Sequence, residues 1–328
     1  MQSQNRQKII IDGDWGGDEM QLSAVLIARS DLFEILGATA VHGNTNHDQV
    51  LRNAGAILRF LNQDGKIPYF GGCKSPLNQP ILDGDGAHGD DGVAGVTLID
   101  SDFPPESVEA CDFILNILRE NPTDTITITA TGPLSNIAKA YLKEPETMRK
   151  VKEIVVMGGC TTEMPAYDLS VRQGNITPYA EFNFYMAAQD ADTVMQSGLP
   201  VTLFPMNCSY QLDFTPARQT QLRQALAQVD SEIVQNMVDL IKAPESMDQE
   251  KFNIYGTMND VHTALYLLDK ESLYKGRAGR VSVVHDGEQQ GLSRFTPDSK
   301  GSVFVMESPV SADRLFDLVV ESFVKVFS

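Results

Sequence analysis

A chain of 328 residues, 42% hydrophobic and 21% charged, has enough apolar material to bury a large core and reads as a folded globular protein. Its 26 basic against 44 acidic residues leave a formal charge of -18, which opposes loose attachment to nucleic acid or to an anionic membrane and favours cations. The four cysteines, Cys73, Cys111, Cys160 and Cys208, lie far apart without a CxxC pair, so neither a zinc ribbon nor a disulfide framework is indicated and reduced thiols are expected.

The chain opens on a polar stretch, residues 1–7, without the charged and apolar regions of a signal peptide. No apolar run approaches membrane-spanning length, and a cytoplasmic enzyme is the expected class. Ile9-Ile10-Ile11 then reads as a buried strand ending in Asp12-Gly13-Asp14-Trp15-Gly16-Gly17-Asp18-Glu19, with a helix expected over 20–28. In a confined site Asp12, Asp14, Asp18 and Glu19 repel one another, a cost relieved by a metal ion, a shared proton or a cationic ligand. The plainer alternative is a solvated loop in which Asp18 caps the helix.

A second strand over 33–41 ends in His42-Gly43-Asn44-Thr45-Asn46-His47, and the carboxyl ends of parallel strands are where open α/β sheets place ligands. A helix over 49–61 and a short strand at Tyr69-Phe70 follow. Residues 71–95 are rich in Gly, Asp and Pro. Their acidic part, 83–92, has the look of a calcium loop but lacks the Glu that would complete an EF-hand, so a mobile substrate-covering loop carrying His88 is expected.

A helix over 107–119, a strand over 125–130 running into Thr131-Gly132-Pro133-Leu134-Ser135-Asn136, a helix over 137–142 and a strand over 152–157 continue the alternation, which predicts a mainly parallel sheet flanked by helices. A polar cluster, Asn175, Glu181 and Asn183, precedes a helix starting near Ala187. After a strand over 201–204, a single helical pattern spans 218–241 and is closed by Ala243-Pro244-Glu245. Asn259-Asp260-Val261-His262 opens an apolar helix, then 280–286, 291–295 and 303–306 read as antiparallel strands before a closing helix over 312–327. Nothing marks a boundary, so one domain over 1–328 is expected.

Calcium takes six to eight oxygen ligands, and the acidic loop supplies carboxylates for such a site. Asp260 offers another, although Asp before a helix is ordinarily a cap. Thr131, at a strand end, can turn a carbonyl into the same space.

With the acidic loop, Thr131 to Asn136, Val155-Val156-Met157-Gly158-Gly159, Gly174-Asn175, Ala180-Glu181-Phe182-Asn183 and Asp260 in one order, the chain resembles the calcium-dependent nucleoside hydrolases, the inosine-uridine-preferring N-ribohydrolases. The resemblance implies their Rossmann-like mixed sheet in a nucleoside hydrolase fold. It implies hydrolysis of a ribonucleoside to ribose and free base in nucleoside salvage, with Ca2+ as cofactor and a homodimer or homotetramer as the assembly. Against the family's Asp-Thr-Asp-Pro-Gly-x-Asp-Asp, Asp14 is implied as both metal ligand and the base acting on a metal-bound water. Asp18 is implied to bind a ribose hydroxyl and Glu19 to stand in the place of a metal-binding Asp. Thr131, through its carbonyl, and Asp260 complete the implied metal ligands. Asn44, Asn175, Glu181 and Asn183 match positions that hold the sugar, Met157 one that packs near it, and His88 a substrate-facing loop position.

Three departures from the pattern matter. Glu19 is one methylene longer than the usual Asp, Trp15 replaces Pro, and Asn259 stands where one type has a leaving-group His and another a stacking Trp. His262 is expected at the surface or as a cap, whereas Tyr179 and Tyr255 could contact a base or merely pack. Two alternatives stay open: a non-catalytic nucleoside- or ribose-binding relative, and a haloacid-dehalogenase-like phosphatase. The latter also opens on Asp-x-Asp, but expects Thr or Val where Gly16 stands.

Overall fold

Ile9, Ile10 and Ile11 are fully buried in the middle of the sheet, each contributing about 1.5–3 kcal/mol relative to exposure. The computed structural model describes residues 6–82, 86–163 and 173–328. The chain runs β1 (Gln7–Gly13), α1 (Gly17–Ala28), β2 (Phe33–Ala40), α2 (His47–Phe60), β3 (Tyr69–Gly71), α3 (Ala110–Glu120), β4 (Ile126–Ala130), α4 (Ser135–Lys143), α5 (Pro145–Met148) and β5 (Glu153–Met157). It continues through β6 (Thr162–Glu163), α6 (Phe182–Met186), α7 (Ala188–Gln196), β7 (Val201–Phe204), α8 (Met206–Ser209), α9 (Pro216–Ala225), α10 (Ser231–Lys242) and α11 (Glu245–Phe252). Last come α12 (Val261–Leu268), β8 (Tyr274–Val283), β9 (Ser293–Pro297), β10 (Val303–Pro309) and α13 (Ala312–Phe327).

The described strands form one sheet in the order β3-β2-β1-β4-β5-β7-β10-β8-β9-β6. Strand alternation divides the interior. Ile9 and Ile11 face a core shared with α1, α2, α10, α12 and α13, while Ile10 faces a second one shared with α3, α4 and α7. The result is the expected α/β architecture, a mostly parallel mixed sheet between two helical layers. From β1 the chain first adds β2 and β3 on one side, then crosses to β4 on the other. Such a reversal opens a crevice at the carboxyl ends of the strands, here between the turns after β1 and β4.

Several expectations need correction. Of the last strands, β8 is antiparallel to both β9 and β10, but β10 lies parallel to β7 and so extends the main sheet. The single helix over 218–241 is two, because Asp230 caps a fresh start, its side chain accepting from the Glu232 N–H at 2.8 Å. Pro244, read as a stop, instead leads into α11, which ends at Asn253 in the left-handed region, φ 56. No helix among the described residues is long and apolar enough to cross a membrane.

Beneath the crevice, His42 is buried with its Nε2 2.9 Å from the Ser135 hydroxyl, which itself donates to Asp190 Oδ2 at 2.6 Å. The hydroxyl proton is committed to Asp190, so His42 donates from Nε2. Burial, and then the nearby His47, push this imidazole down from 6.5 to about 4. The folded state holds it neutral while the unfolded chain takes up a proton below pH 6.5. The stability tied to it is therefore complete above pH 6.5 and is lost as pH falls towards 4, by about 3 kcal/mol. His42→Gln is expected to flatten the dependence of the urea midpoint on pH across that window, and parallel profiles for the two proteins would refute the assignment.

Candidate active site

The turn after β1 places Asp14 in a cradle without side chains. Its Oδ2 accepts the Asn44 N–H at 2.8 Å, and the Asn44 amide donates to the Asp14 carbonyl at 3.1 Å. A Cβ on Gly43 would fall on Oδ2 and lie 2.6 Å from Cγ, and one on Gly132 would lie 3.1 Å from Oδ1. Glycines from the turns after β2 and β4 thus hold the carboxylate on both sides. Asp12, fully buried behind it, accepts from the Thr39 hydroxyl at 2.5 Å and the Asn136 amide at 2.7 Å, joining β1 to β2 and α4. Burial pushes Asp12 up to about 6 against those two bonds.

Gly16 is the N-cap of α1, and Glu19 reaches back to its N–H at 2.7 Å, one half of a capping box. The other Glu19 oxygen accepts the Thr131 hydroxyl at 3.2 Å. Asp18 is therefore not the cap; it accepts from Gln21 at 2.9 Å and stands 4.0 Å from His88 Nε2. Asp260 likewise makes no side-chain cap, and its carboxylate lines the crevice.

Opposite, Glu181 caps α6 through the N–H groups of Asn183 and Phe184 and also accepts from Gly159 at 2.6 Å. The Asn183 amide donates to the carbonyls of Thr131 at 2.7 Å and Met157 at 3.3 Å, tying the turn after β4 to the end of β5. Asn175 accepts from the Phe182 N–H at 2.9 Å.

The structure brings Asp14, Asp18, Asn44, His88, Thr131, Met157, Asn175, Glu181, Asn183 and Asp260 to one cleft. Glu19 is fully buried behind its wall. Burial first, then the Glu19 charge, hold Asp14, Asp18 and Asp260 well above the usual carboxylate range, and Glu19 is raised by burial too. Among the described residues no Lys or Arg lines the cleft. Among the described residues no three His, Cys, Asp or Glu side chains converge as a ready-made metal cage. The donors are carboxylates with a main-chain carbonyl, which still has a lone pair beside its bond to Asn183. That all-oxygen set, crowded with carboxylates, fits a hard divalent cation and not zinc.

Other residues differ from expectation. His262 is neither surface nor cap: it is buried in the core with Nδ1 2.8 Å from the Tyr274 hydroxyl. Trp15 is fully buried, its indole donating to the Thr39 carbonyl at 3.0 Å. Neither Tyr179 nor Tyr255 lines the cleft. Of the loop over 83–92, residues 83–85 lie outside the described residues; the remainder is anchored to α2, since Asn53 donates to the Asp91 carbonyl at 2.8 Å and the Trp15 carbonyl at 3.3 Å. Pro244, the N-cap of the unforeseen α11, and Met247 within it complete the wall beside Asn259, whose Oδ1 accepts the Ser209 hydroxyl at 2.7 Å. The Pro-Glu pair at a helix start was their available signal.

A family model described as inosine-uridine preferring nucleoside hydrolase matches residues 9–317. The chain is 33% identical over 264 residues to the pyrimidine-specific ribonucleoside hydrolase RihA of Klebsiella pneumoniae, covering 80% of each. It is 34% identical over 287 residues to an uncharacterised protein of Schizosaccharomyces pombe, covering 86% of each. Among solved structures it resembles a purine-preferring ribonucleoside hydrolase from Gardnerella vaginalis, with TM-score 0.84, 22% identity and 98% and 100% of the two chains covered. A plant nucleoside hydrolase superimposes with TM-score 0.80 at 25% identity, covering 98% of this chain and 99% of that one.

Proposed function

The chain belongs to the inosine-uridine preferring nucleoside hydrolase family, and from that premise we propose that Asp14 is the general base of a Ca2+-dependent cleavage of ribonucleosides. The enzyme is a ribonucleoside N-glycosyl hydrolase. The observation that carries the assignment of Asp14 is its setting: a buried carboxylate with raised proton affinity, fixed by the Asn44 N–H between two glycines at the sheet's reversal point.

Asp14, Asp260 and the Thr131 carbonyl would hold the cation, with Glu19 behind them fixing Thr131 rather than facing the cleft, and the bound cation would supply an oriented water of lowered pKa. Asp14 takes the proton from the attacking water. Asp18, Asn44, Asn175, Glu181 and Asn183 grip the sugar, with Met157 packed against it and His88 covering it. As the N-glycosidic bond lengthens, positive charge grows on the ribose ring, and the buried carboxylates beside it stabilise that charge in a site shielded from water. Asn259 cannot give up a proton, so the base must leave with little help from this position. Its amide contrasts with the His or Trp of other types, and substrates whose leaving group departs readily are favoured. The same reading makes the chain a single domain over 1–328, cytoplasmic and a homodimer or homotetramer, on the family's pattern. The phosphatase alternative falls with the family match, which spans residues 9–317.

Ribose release from inosine, uridine and 4-nitrophenyl riboside, with and without a chelator, tests the proposal. We expect turnover that the chelator abolishes and that calcium restores, fastest on 4-nitrophenyl riboside. Undiminished turnover in the chelator would overturn the metal assignment, and an absence of turnover in calcium would favour a binding-only relative.

A further inference from the structure

Gly13 closes β1 opposite Ala40 of β2, and its backbone is outside the left-handed region, so no turn requires a glycine there. A glycine also weakens a strand. What it supplies is space. A Cβ at this position would stand 2.5 Å from Glu19 Oε1, 2.9 Å from Glu19 Cγ and 2.9 Å from Thr131 Oγ1. The volume beside Gly13 is thus taken by the outer half of Glu19, the acid that is one methylene longer than the family's pattern expects.

Glu19 has little freedom to yield. It is fully buried, with one oxygen on the Gly16 N–H at 2.7 Å and the other on the Thr131 hydroxyl at 3.2 Å. Moving away from a new methyl at 13 would break one or both bonds. A shorter acid at 19 would draw its outer oxygens away from Gly13 and from the same two groups, leaving that part of the space unfilled.

We propose that Gly13 and Glu19 are one interdependent unit: the missing side chain at 13 makes room for the longer acid at 19, which in turn fixes the Gly16 N–H and Thr131. Glu19 is in this respect a positioning residue. It sets the start of α1 and the residue whose carbonyl is assigned to the cation, so the functional part of this inference rests on the function proposed above.

The test is a double-mutant cycle of Gly13→Ala and Glu19→Asp, read first as the melting temperature of calcium-free protein and then as calcium affinity by calorimetry. Each single change is expected to lower Tm by about 3–8 °C, by overpacking in one case and an unfilled space in the other. The double variant, in which the acid's outermost oxygen no longer stands 2.5 Å from the new methyl, is expected to lose less Tm than the two single losses added together. Calcium affinity should fall about 10-fold in each single variant and recover in the double. Should Gly13→Ala fail to fold, a folded double variant supports the pair and an unfolded one overturns it. Additive Tm losses overturn it even if the unsubstituted protein binds calcium well. Rescue of Tm in a protein that binds no calcium supports the pair and removes the metal assignment instead.

Discussion

Asp14→Ala is expected to lower kcat for ribonucleoside hydrolysis by more than about 100-fold, the scale of losing a positioned general base. The side chain is small and nearly buried, and its carboxylate is held above the usual range by burial and by the charge of Glu19. Removing it relieves repulsion in the metal-free protein, so the melting temperature should not fall with the activity. The combination matters, because loss of activity through unfolding would lower both. Steady-state kinetics on uridine and inosine, alongside a thermal melt in chelator, provide the check. Activity surviving the substitution would sink the assignment of Asp14.

Gly43→Ala should be nearly as damaging although residue 43 lacks a side chain with which to touch substrate. Its new Cβ would fall on Asp14 Oδ2, with Cγ at 2.6 Å and Cβ at 2.7 Å. Gly132 lies on its other side, where a Cβ would stand 3.1 Å from Oδ1, so any retreat from residue 43 turns Asp14 off the Asn44 N–H. A displacement of about 1 Å in a catalytic group costs on the order of 100-fold in rate. The loss should fall on kcat, with KM changing less because the sugar-holding residues of α6 stay in place. An unchanged kcat would mean that the carboxylate works from another position.

Much of this was readable in the sequence for physical reasons. A strand buried on both faces must be a continuous apolar run, as Ile9 to Ile11 is, and a parallel sheet must return its chain through helices. Ordered polar turns after β1, β2, β4 and β5 therefore meet at one edge. What local patterns do not carry is the sign of a side chain's partner. His262 follows a site acid in sequence, yet the helix turns it into the core onto Tyr274. Glu19 looks like a member of the cleft, yet its extra methylene lets it fold back to Gly16 and Thr131. Pro244 reads as a stop, but a proline also suits the first turn of a helix, and the choice depends on where α11 can pack. The use of Gly13 for space became visible only with the atoms around it.

Asn53 has one further consequence. Its single amide nitrogen holds both the Trp15 carbonyl of the acidic loop and the Asp91 carbonyl of the covering loop. While those bonds last, the stretch after Asp91 is riveted to the wall that carries Asp14. The Thr45 hydroxyl adds a bond to the Asp90 carbonyl at 2.9 Å and the Ala94 N–H one to the His88 carbonyl at 2.8 Å, so the residue standing over the acids is held in register with them by the wall that carries both.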